Sequence, residues 1–173
     1  MEESREPGDS THTGSIPWDS SWPRLADEDE RRVLFSYLEE RFGIPEKTFA
    51  DFHLFSRRKS WWLLRKTIDV LPMARLKVSQ VGLKAFVKVG KYLKPTTRVI
   101  QILGHHATKG VHRLTDNKFE RLLRGEPLEI DTAMEDGFVI LCFREKVLGI
   151  GLLIQGKITS RIRQSETHRM VAA

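Results

Sequence analysis

The chain contains very little of three things: cysteine, long apolar runs, and acidic residues in its central part. Cys142 is the single cysteine in 173 residues, so an intramolecular disulfide and a multi-thiolate metal cage are excluded. The apolar runs are all shorter than the roughly 18 residues that a membrane-spanning helix needs. The first residues are acidic and polar rather than basic and then apolar, so we expect no secretion signal and a cytoplasmic protein.

The shortage of acid is concentrated between Asp51 and Arg113, a segment called here the basic block. It holds two acids, Asp51 and Asp69, against fourteen Lys and Arg. Aliphatic and aromatic residues alternate through the same segment, which indicates a folded surface rather than a basic tail. Such a surface attracts polyanions, because each Lys or Arg that meets a phosphate releases a condensed counterion. Nucleic acid is therefore the leading candidate partner.

The ends of the chain differ in charge. Residues 1–30 carry nine acids and two Arg, a net charge of −7, and residues 31–173 carry a net charge of +13. Residues 1–26 are rich in Ser, Thr, Gly, Pro and acid without hydrophobic periodicity, which predicts a disordered acidic tail. Whether that tail masks the basic surface by charge attraction stays open.

The first half of the chain predicts a helix followed by strands. Asp27 and Glu30 form a capping-box pattern at the start of a helix over Glu28 to Arg41, which Gly43 and Pro45 end. After it we predict strands at Phe49 to Ser56 and Trp61 to Lys66 with a turn between them, a short helix at Ile68 to Arg75, and strands within Val78 to Val89.

The second half predicts short helices among closely spaced strands. Lys94-Pro95-Thr96 indicates a loop, Thr96 caps a helix over Arg98 to Leu103, and Thr115 caps a helix that ends at Gly125. The predicted strands are Val111 to Leu114, Gly137 to Arg144, Val147 to Ile154 and Lys157 to Arg163, with hairpin turns at Glu145-Lys146 and Gln155-Gly156. The predicted fold class is α+β: a small α/β domain over residues 27–81, a mixed β pseudo-barrel with short helices over 82–165, and a tail over 166–173.

Three segments carry a family resemblance: KPTTRVIQILGHHATKGVHRL from Lys94, FERLLRGEPLEI from Phe119, and EDGFVILCFREKVLGIGLLIQGKITSRI from Glu135. In this order they resemble the PUA-like domain at the C-terminus of Sun-family RNA cytosine-C5 methyltransferases. The layout of a small α/β domain before it resembles the Nip-type ribosome-assembly factors. The resemblance implies a pseudo-barrel that binds structured RNA, tRNA or rRNA, in a basic groove. The paired catalytic cysteines and glycine-rich cofactor loop of the methyltransferase domain are missing from this sequence.

The resemblance also implies the residues that would contact RNA. They are Lys84, Lys88, Lys91, Lys94 and Arg98, with Lys109 and Arg113 extending the groove. The turn Arg57, Arg58 and Lys59 is a second candidate contact, because the neighbouring Trp61 and Trp62 could stack on an unpaired base. The alternative is that the two tryptophans pack on opposite faces of a sheet, as adjacent strand residues do.

Other chemical signals are weak. His105, His106 and His112 lie in a segment with no acid between Asp69 and Asp116, and the lone Cys142 falls within a predicted strand, so we expect no metal site. Leu148-Gly149-Ile150-Gly151 is followed by strand residues rather than a helix, which favours a structural role over a dinucleotide loop. No nucleophile, base and oxyanion donor can be assembled, so we expect neither an enzyme nor a cofactor.

The sequence therefore predicts a non-catalytic protein that binds structured RNA in RNA modification or ribosome assembly, beside a partner that supplies catalysis. One alternative is a protein-interaction adaptor of an RNA methyltransferase or assembly complex, in which the basic face serves only for encounter. A weaker one is an RNA-processing enzyme that uses the loop from His105 to His112. Charge alone does not distinguish RNA from DNA.

Overall fold

The computed structural model describes residues 22–66, 69, 76–131, 133–163 and 166. Within them lie three α-helices and two five-stranded sheets, one of which curls into a half-barrel. The predicted α+β class is confirmed. None of the helices in these residues is long and apolar enough to cross a membrane.

Helix α1 extends over Glu28–Phe42 and begins as predicted. The Asp27 carboxylate accepts a hydrogen bond from the Glu30 amide at 2.8 Å, and the Glu30 carboxylate accepts one from the Asp27 amide at 3.3 Å. The helix ends at Gly43, whose φ of 64° is left-handed. Its buried side chains are Leu34, Phe35, Leu38 and Phe42.

The first sheet has the order β1-β2-β3-β4-β5, and all of its neighbouring strands are antiparallel. The strands are β1 (Arg24–Leu25), β2 (Phe52–Arg57), β3 (Ser60–Arg65), β4 (Leu83–Val89) and β5 (Tyr92–Pro95). The loop predicted at Lys94-Pro95 is wrong, because these residues pair with Val87 and Phe86 of β4. Proline is tolerated there because it ends an edge strand, where its missing N–H removes no ladder bond.

Order begins earlier than the prediction of a tail over residues 1–26. Arg24 and Leu25 pair with Ser56 and Phe55 of β2, and Trp22 is buried with its indole Nε1 donating to the Leu76 carbonyl at 2.6 Å. A strand of two residues has no periodicity that composition could reveal. Residues 1–21 of that tail and the helix predicted over Ile68 to Arg75, apart from Asp69, lie outside the described residues.

The second sheet has the order β6-β8-β9-β10-β7, with β6 parallel to β8 and the remaining pairs antiparallel. Its strands are β6 (Val111–Arg113), β7 (Leu128–Glu129), β8 (Gly137–Phe143), β9 (Lys146–Ile154) and β10 (Lys157–Ser160). The turn at Gln155-Gly156 is confirmed by φ values of 48° and 74°. The first hairpin turn lies at Arg144-Glu145, one residue before its predicted place, with φ values of 43° and 63°.

Two short helices accompany these strands. Helix α2 covers Thr97–Leu103 and helix α3 covers Asp116–Leu123, and the predicted caps Thr96 and Thr115 accept hydrogen bonds from the Val99 and Lys118 amides. Gly125 follows α3 with a left-handed φ of 75°, as predicted.

The two sheets share one hydrophobic cluster. Leu54 of β2 and Ile140 of β8 belong to it, together with Phe42 of α1 and Ile100 of α2. The domain boundary between residues 81 and 82 stays a prediction. Strands from both of its sides belong to the first sheet, because β4 pairs with β3. The change of sheet comes after β5, and helix α2 lies between the two sheets in the chain.

Candidate nucleic-acid interface

A groove of about 1420 Å³ lies between the β4–β5 hairpin of the first sheet and the β8–β9 turn and α3 of the second. The groove thus has a first wall, formed by the first sheet, and a second wall, formed by the second sheet and α3. Helix α2 is hydrogen-bonded to the second wall: Thr97 Oγ1 donates to the Arg161 carbonyl at 3.3 Å, and Gln101 Nε2 donates to the Leu148 carbonyl at 2.9 Å. Gly149 has a φ of 150°, and a Cβ there would lie 2.6 Å from the Thr97 methyl group. The glycine of β9 therefore permits the close approach of α2, and the structural interpretation of Leu148 to Gly151 is confirmed.

The charged side chains that line this groove are mainly cationic. Seven of its side chains are basic and three are acidic, a net of four positive charges. The basic residues are Lys84, Lys94, Arg98, Arg144, Lys146, Arg161 and Arg163, and the acidic ones are Asp116, Glu120 and Glu166. Among the described residues, the ion pair between Arg144 and Asp116 at 2.8 Å is the one that engages these cations. Most of the positive charge is therefore available to a ligand.

Thr96 fixes the position of the first-sheet wall. Its hydroxyl donates to the Lys84 carbonyl at 2.6 Å and accepts from the Val99 amide at 3.2 Å, while its own amide donates to the Ala85 carbonyl at 2.8 Å. One residue thus caps α2 and holds β4 beside it. The result is that Lys84, Lys94 and Arg98 lie along the same groove.

Lys94 and Arg161 bring like charges together from the two walls. Burial, and then the nearby Arg161 guanidinium, lower the pKa of the Lys94 ammonium below its usual 10.5. Neither side chain has an acidic partner within 4.0 Å in the part of the chain that the structure describes. An anion placed between them would relieve this repulsion and raise the pKa of the Lys94 ammonium again.

Aromatic side chains lie among the charged residues of the second wall. The rings of Phe119 and Phe143 stack with centroids 4.0 Å apart and planes 8° apart. The Arg144 guanidinium carbon lies 4.9 Å from the centre of the Phe143 ring. Charged groups beside ring faces suit a ligand that combines phosphate with apolar ring surface.

The structure separates the basic residues predicted as one site. Lys84, Lys94 and Arg98 line the groove. Lys88 does not, because it pairs with Leu93, whose side chain packs against the core cluster on the other face of the hairpin. Lys91 lies in the turn between β4 and β5.

A register irregularity explains why Lys84 and Lys88 diverge. Trp61 pairs with Phe86 and Trp62 with Lys84, so Ala85 has no opposing residue and the alternation of faces shifts there. Lys84 and Val87 consequently line the same groove, although they are three positions apart.

The remaining predicted groove residues lie elsewhere. Lys109 lies beside the C-terminal end of α1, since its amide donates to the Phe42 carbonyl at 3.1 Å. Arg113 is exposed at the end of β6, in register with Cys142 of β8. Both remain predictions as RNA contacts, but neither lines the groove.

The turn between β2 and β3 borders a second, smaller depression. It has a volume of about 370 Å³ and is lined by Arg57, Arg58, Ser60, Trp62, Ser79 and Gln80. Arg57 donates a hydrogen bond to the Ser79 carbonyl at 3.2 Å, and Lys59 does not line the depression. Lys84 lies between the groove and this depression, because it lines the groove and its ammonium lies 5.7 Å from the centre of the Trp62 ring.

The tryptophans beside this turn pack on opposite faces of the first sheet. Trp61 packs against the main core and its indole donates to the Glu30 carboxylate at 3.1 Å. Trp62 is 5% exposed on the opposite face, in a cluster with Trp22, Phe55, Leu64 and Val81. The packing alternative therefore holds for both rings, and the turn Arg57, Arg58 and Lys59 stays a prediction as an RNA contact.

Four basic residues of the groove were not predicted: Arg144, Lys146, Arg161 and Arg163. They fall outside the basic block, in the β8–β9 turn, at the first residue of β9, and after β10. The sequence carries one usable signal, the pair of cations around Glu145 in a predicted hairpin turn. Their convergence with Lys94 depends on the packing of the two sheets, which no local pattern encodes.

The described histidines and the cysteine are not gathered into a metal-binding cluster. In residues 22–66, 69, 76–131, 133–163 and 166, no group of three or more His, Cys, Asp and Glu could hold a metal ion. His105 and His106 lie against each other on a short 3-10 helix, with ring centroids 3.9 Å apart. Cys142 is buried in β8, and burial raises the pKa of its thiol.

A comparison with known families matches residues 109–162 to the model of the methyltransferase RsmF PUA domain. The matched 54 of 173 residues contain the second sheet and α3, so the predicted resemblance is confirmed for this part of the chain. The first sheet lies outside the match. No curated protein matches the chain in a sequence search.

Proposed function

We propose that the protein binds structured RNA, tRNA or rRNA, in the groove between its two sheets and performs no catalysis of its own. It would act in RNA modification or ribosome assembly, beside a partner that supplies the chemistry. The observation that carries this proposal is the cationic lining contributed by both sheets and α2. Lys84 and Lys94 come from the first sheet, Arg98 comes from α2, and Arg144 and Arg161 come from the β8–β9 turn and the segment after β10. The match to a PUA domain over residues 109–162 supports RNA as the polyanion.

The groove suits a folded RNA because cations stand on both of its walls. Phosphates of an RNA stem would replace the missing acidic partners of Lys94 and Arg161, and release of condensed counterions would favour association. Recognition of double-stranded RNA depends mainly on shape and on phosphate and 2′-hydroxyl contacts, since its deep major groove is closed to side chains. We therefore expect preference for RNA stems over duplex DNA, with little dependence on base sequence.

A mobility-shift titration with tRNA and with rRNA stem-loops at low salt tests the proposal. We expect the double variant Arg98→Glu/Arg161→Glu to bind at least about tenfold more weakly, because a charged hydrogen bond contributes about 1.5 kcal/mol or more. Lys47→Glu is a matched control, since Lys47 is exposed but lies outside the groove. Equal loss in the control, or displacement of RNA by duplex DNA at equal concentration, would contradict RNA binding in this groove.

The adaptor hypothesis makes the opposite prediction for the same variants. If the basic face serves only for encounter with a protein complex, Arg98→Glu/Arg161→Glu leaves RNA affinity unchanged. The groove proposal requires a loss, so one titration decides between the two.

A further inference from the structure

The tip of the β4–β5 hairpin presents an exposed aromatic ring at the rim of the groove. Tyr92 is 64% exposed and Val89, its partner in register, is 55% exposed. The next groove-facing pair along the hairpin is Val87 and Lys94, and side chains two positions apart on a strand share a face. Tyr92 therefore continues the wall that carries Lys94, about 7 Å further along the strand.

The surroundings of this ring are cationic. The Lys91 ammonium lies 5.4 Å from the centre of the Tyr92 ring. From Lys77 to Arg113 the sequence contains no acid, so the hairpin and α2 present only positive charge. A protein partner would cover such a ring best with apolar or acidic groups. A nucleotide supplies both an aromatic face for the ring and a phosphate for the lysines.

We propose that Tyr92 stacks on an unpaired base of the bound RNA, and that the preferred ligand is a stem carrying a single-stranded extension. This inference rests on the proposed RNA binding and adds the class of RNA. Bases inside an A-form stem are covered on both faces by their neighbours, so only an unpaired base can stack on a side chain. When Lys94 binds a phosphate, the base of the adjacent nucleotide can reach the Tyr92 ring.

The test compares one RNA stem-loop in two forms, blunt-ended and with a three-nucleotide extension, bound to the full chain. Wild type and Tyr92→Phe should prefer the extended form by about fivefold or more, the effect of one stacked base. Tyr92→Ala should bind both forms equally, with affinity for the blunt form unchanged within about twofold. Because Tyr92 is largely exposed, thermal unfolding should show the same stability for all three proteins.

A fluorescent reporter gives an independent measurement. With 2-aminopurine at the first unpaired position, binding of wild type and Tyr92→Phe should change the emission, whereas binding of Tyr92→Ala should not. The inference is overturned if Tyr92→Ala keeps the preference for the extension, or if it weakens both forms equally.

The two proposals fail in different ways. If wild type binds both forms equally and Arg98→Glu/Arg161→Glu weakens both, RNA binding in the groove stands and stacking on Tyr92 is wrong. If wild type binds neither form, both are wrong. If Tyr92 instead serves a protein partner, Tyr92→Ala leaves binding of both RNAs at wild-type values, preference included.

Discussion

Lys94 and Arg161 meet in the groove as two cations without an acidic partner among the described residues, and the Arg161 guanidinium adds to burial in lowering the pKa of Lys94. Lys94 belongs to an edge strand of the first sheet, and Arg161 follows the last strand of the second. The folded chain thus holds together charges that repel each other. Removal of one of these charges should therefore raise the stability of the folded chain and lower its affinity for RNA.

Lys94→Gln should raise stability slightly while lowering RNA affinity. Because the pKa of Lys94 is lower in the folded state than in the unfolded one, the unfolded chain binds its proton more tightly. The charged lysine therefore costs stability at neutral pH, and the cost disappears as the pH rises from the folded pKa towards 10.5. We expect a gain of up to about 0.5 kcal/mol in urea unfolding, since the group is partly exposed.

Lys47→Gln serves as the control for this pair of effects, because Lys47 is exposed outside the groove. It should change neither unfolding nor RNA affinity. If the Lys94→Gln protein is less stable than wild type and binds RNA equally well, the charge of Lys94 neither destabilises the fold nor contributes to RNA binding, and the account is contradicted.

Thr96→Val should destabilise the chain by about 1–2 kcal/mol. The substitution keeps the shape but removes the hydroxyl that caps α2 and bonds the Lys84 carbonyl. Thr96→Ser restores both bonds and should recover most of the loss. Chemical unfolding of the three proteins checks this, and equal stability of the Val and Ser variants would contradict the dual role of the hydroxyl.

Arg41→Ala should cost about 1.5–3 kcal/mol, since it removes charged donors to two main-chain carbonyls. The Arg41 Nε donates to Phe138 at 2.7 Å and its Nη2 donates to Glu135 at 2.8 Å, which ties α1 to the start of β8. Arg32→Ala on the same helix removes an exposed ion pair with Asp29 and should cost less than about 0.5 kcal/mol. Similar losses in the two variants, measured by urea unfolding, would refute this link between α1 and the second sheet.

His112 should make the folded state sensitive to acid. Burial, and then the charge of Lys118, lower the pKa of His112 below 6.5, and its Nε2 is buried without a hydrogen-bond partner in the described part of the chain. The unfolded chain therefore takes up the proton first, and the stability present above pH 6.5 is lost as the pH falls towards the folded pKa.

Unfolding of wild type and His112→Gln between pH 7 and pH 5 measures this contribution, since other titrating groups are common to both. The stability of wild type should decline more steeply than that of the variant. Parallel declines would show that His112 does not titrate differently in the folded state.

Local signals in the sequence were sufficient for several of the individual elements. The Asp27 capping box, the Thr96 and Thr115 caps and the Gln155-Gly156 turn are decided by residues a few positions apart, and the structure confirms them. The same patterns could not show that Ala85 interrupts the alternation of β4, because its lack of a partner depends on the register with β3. Lys84 and Lys88 were therefore placed together although they face different sides.

Only part of the candidate site could be predicted from the sequence, for the same reason. Clustering of charge along the chain identified Lys84, Lys94 and Arg98, which lie on consecutive elements. Arg161 and Arg144 are separated from them by most of the second sheet in sequence, and only the shared core brings them to the same groove. Contacts between distant segments are set by packing, and a single sequence carries no direct record of them.

The salt dependence of RNA binding tests the cationic groove most directly. Plotted as log affinity against log salt concentration, wild-type binding to an RNA stem-loop should fall steeply, and each lost phosphate contact should reduce the slope by about one unit. The double variant Lys94→Gln/Arg161→Gln should therefore show a slope smaller by about two units than wild type and the Lys47→Gln control. An unchanged slope in the double variant would contradict phosphate binding between the two sheets.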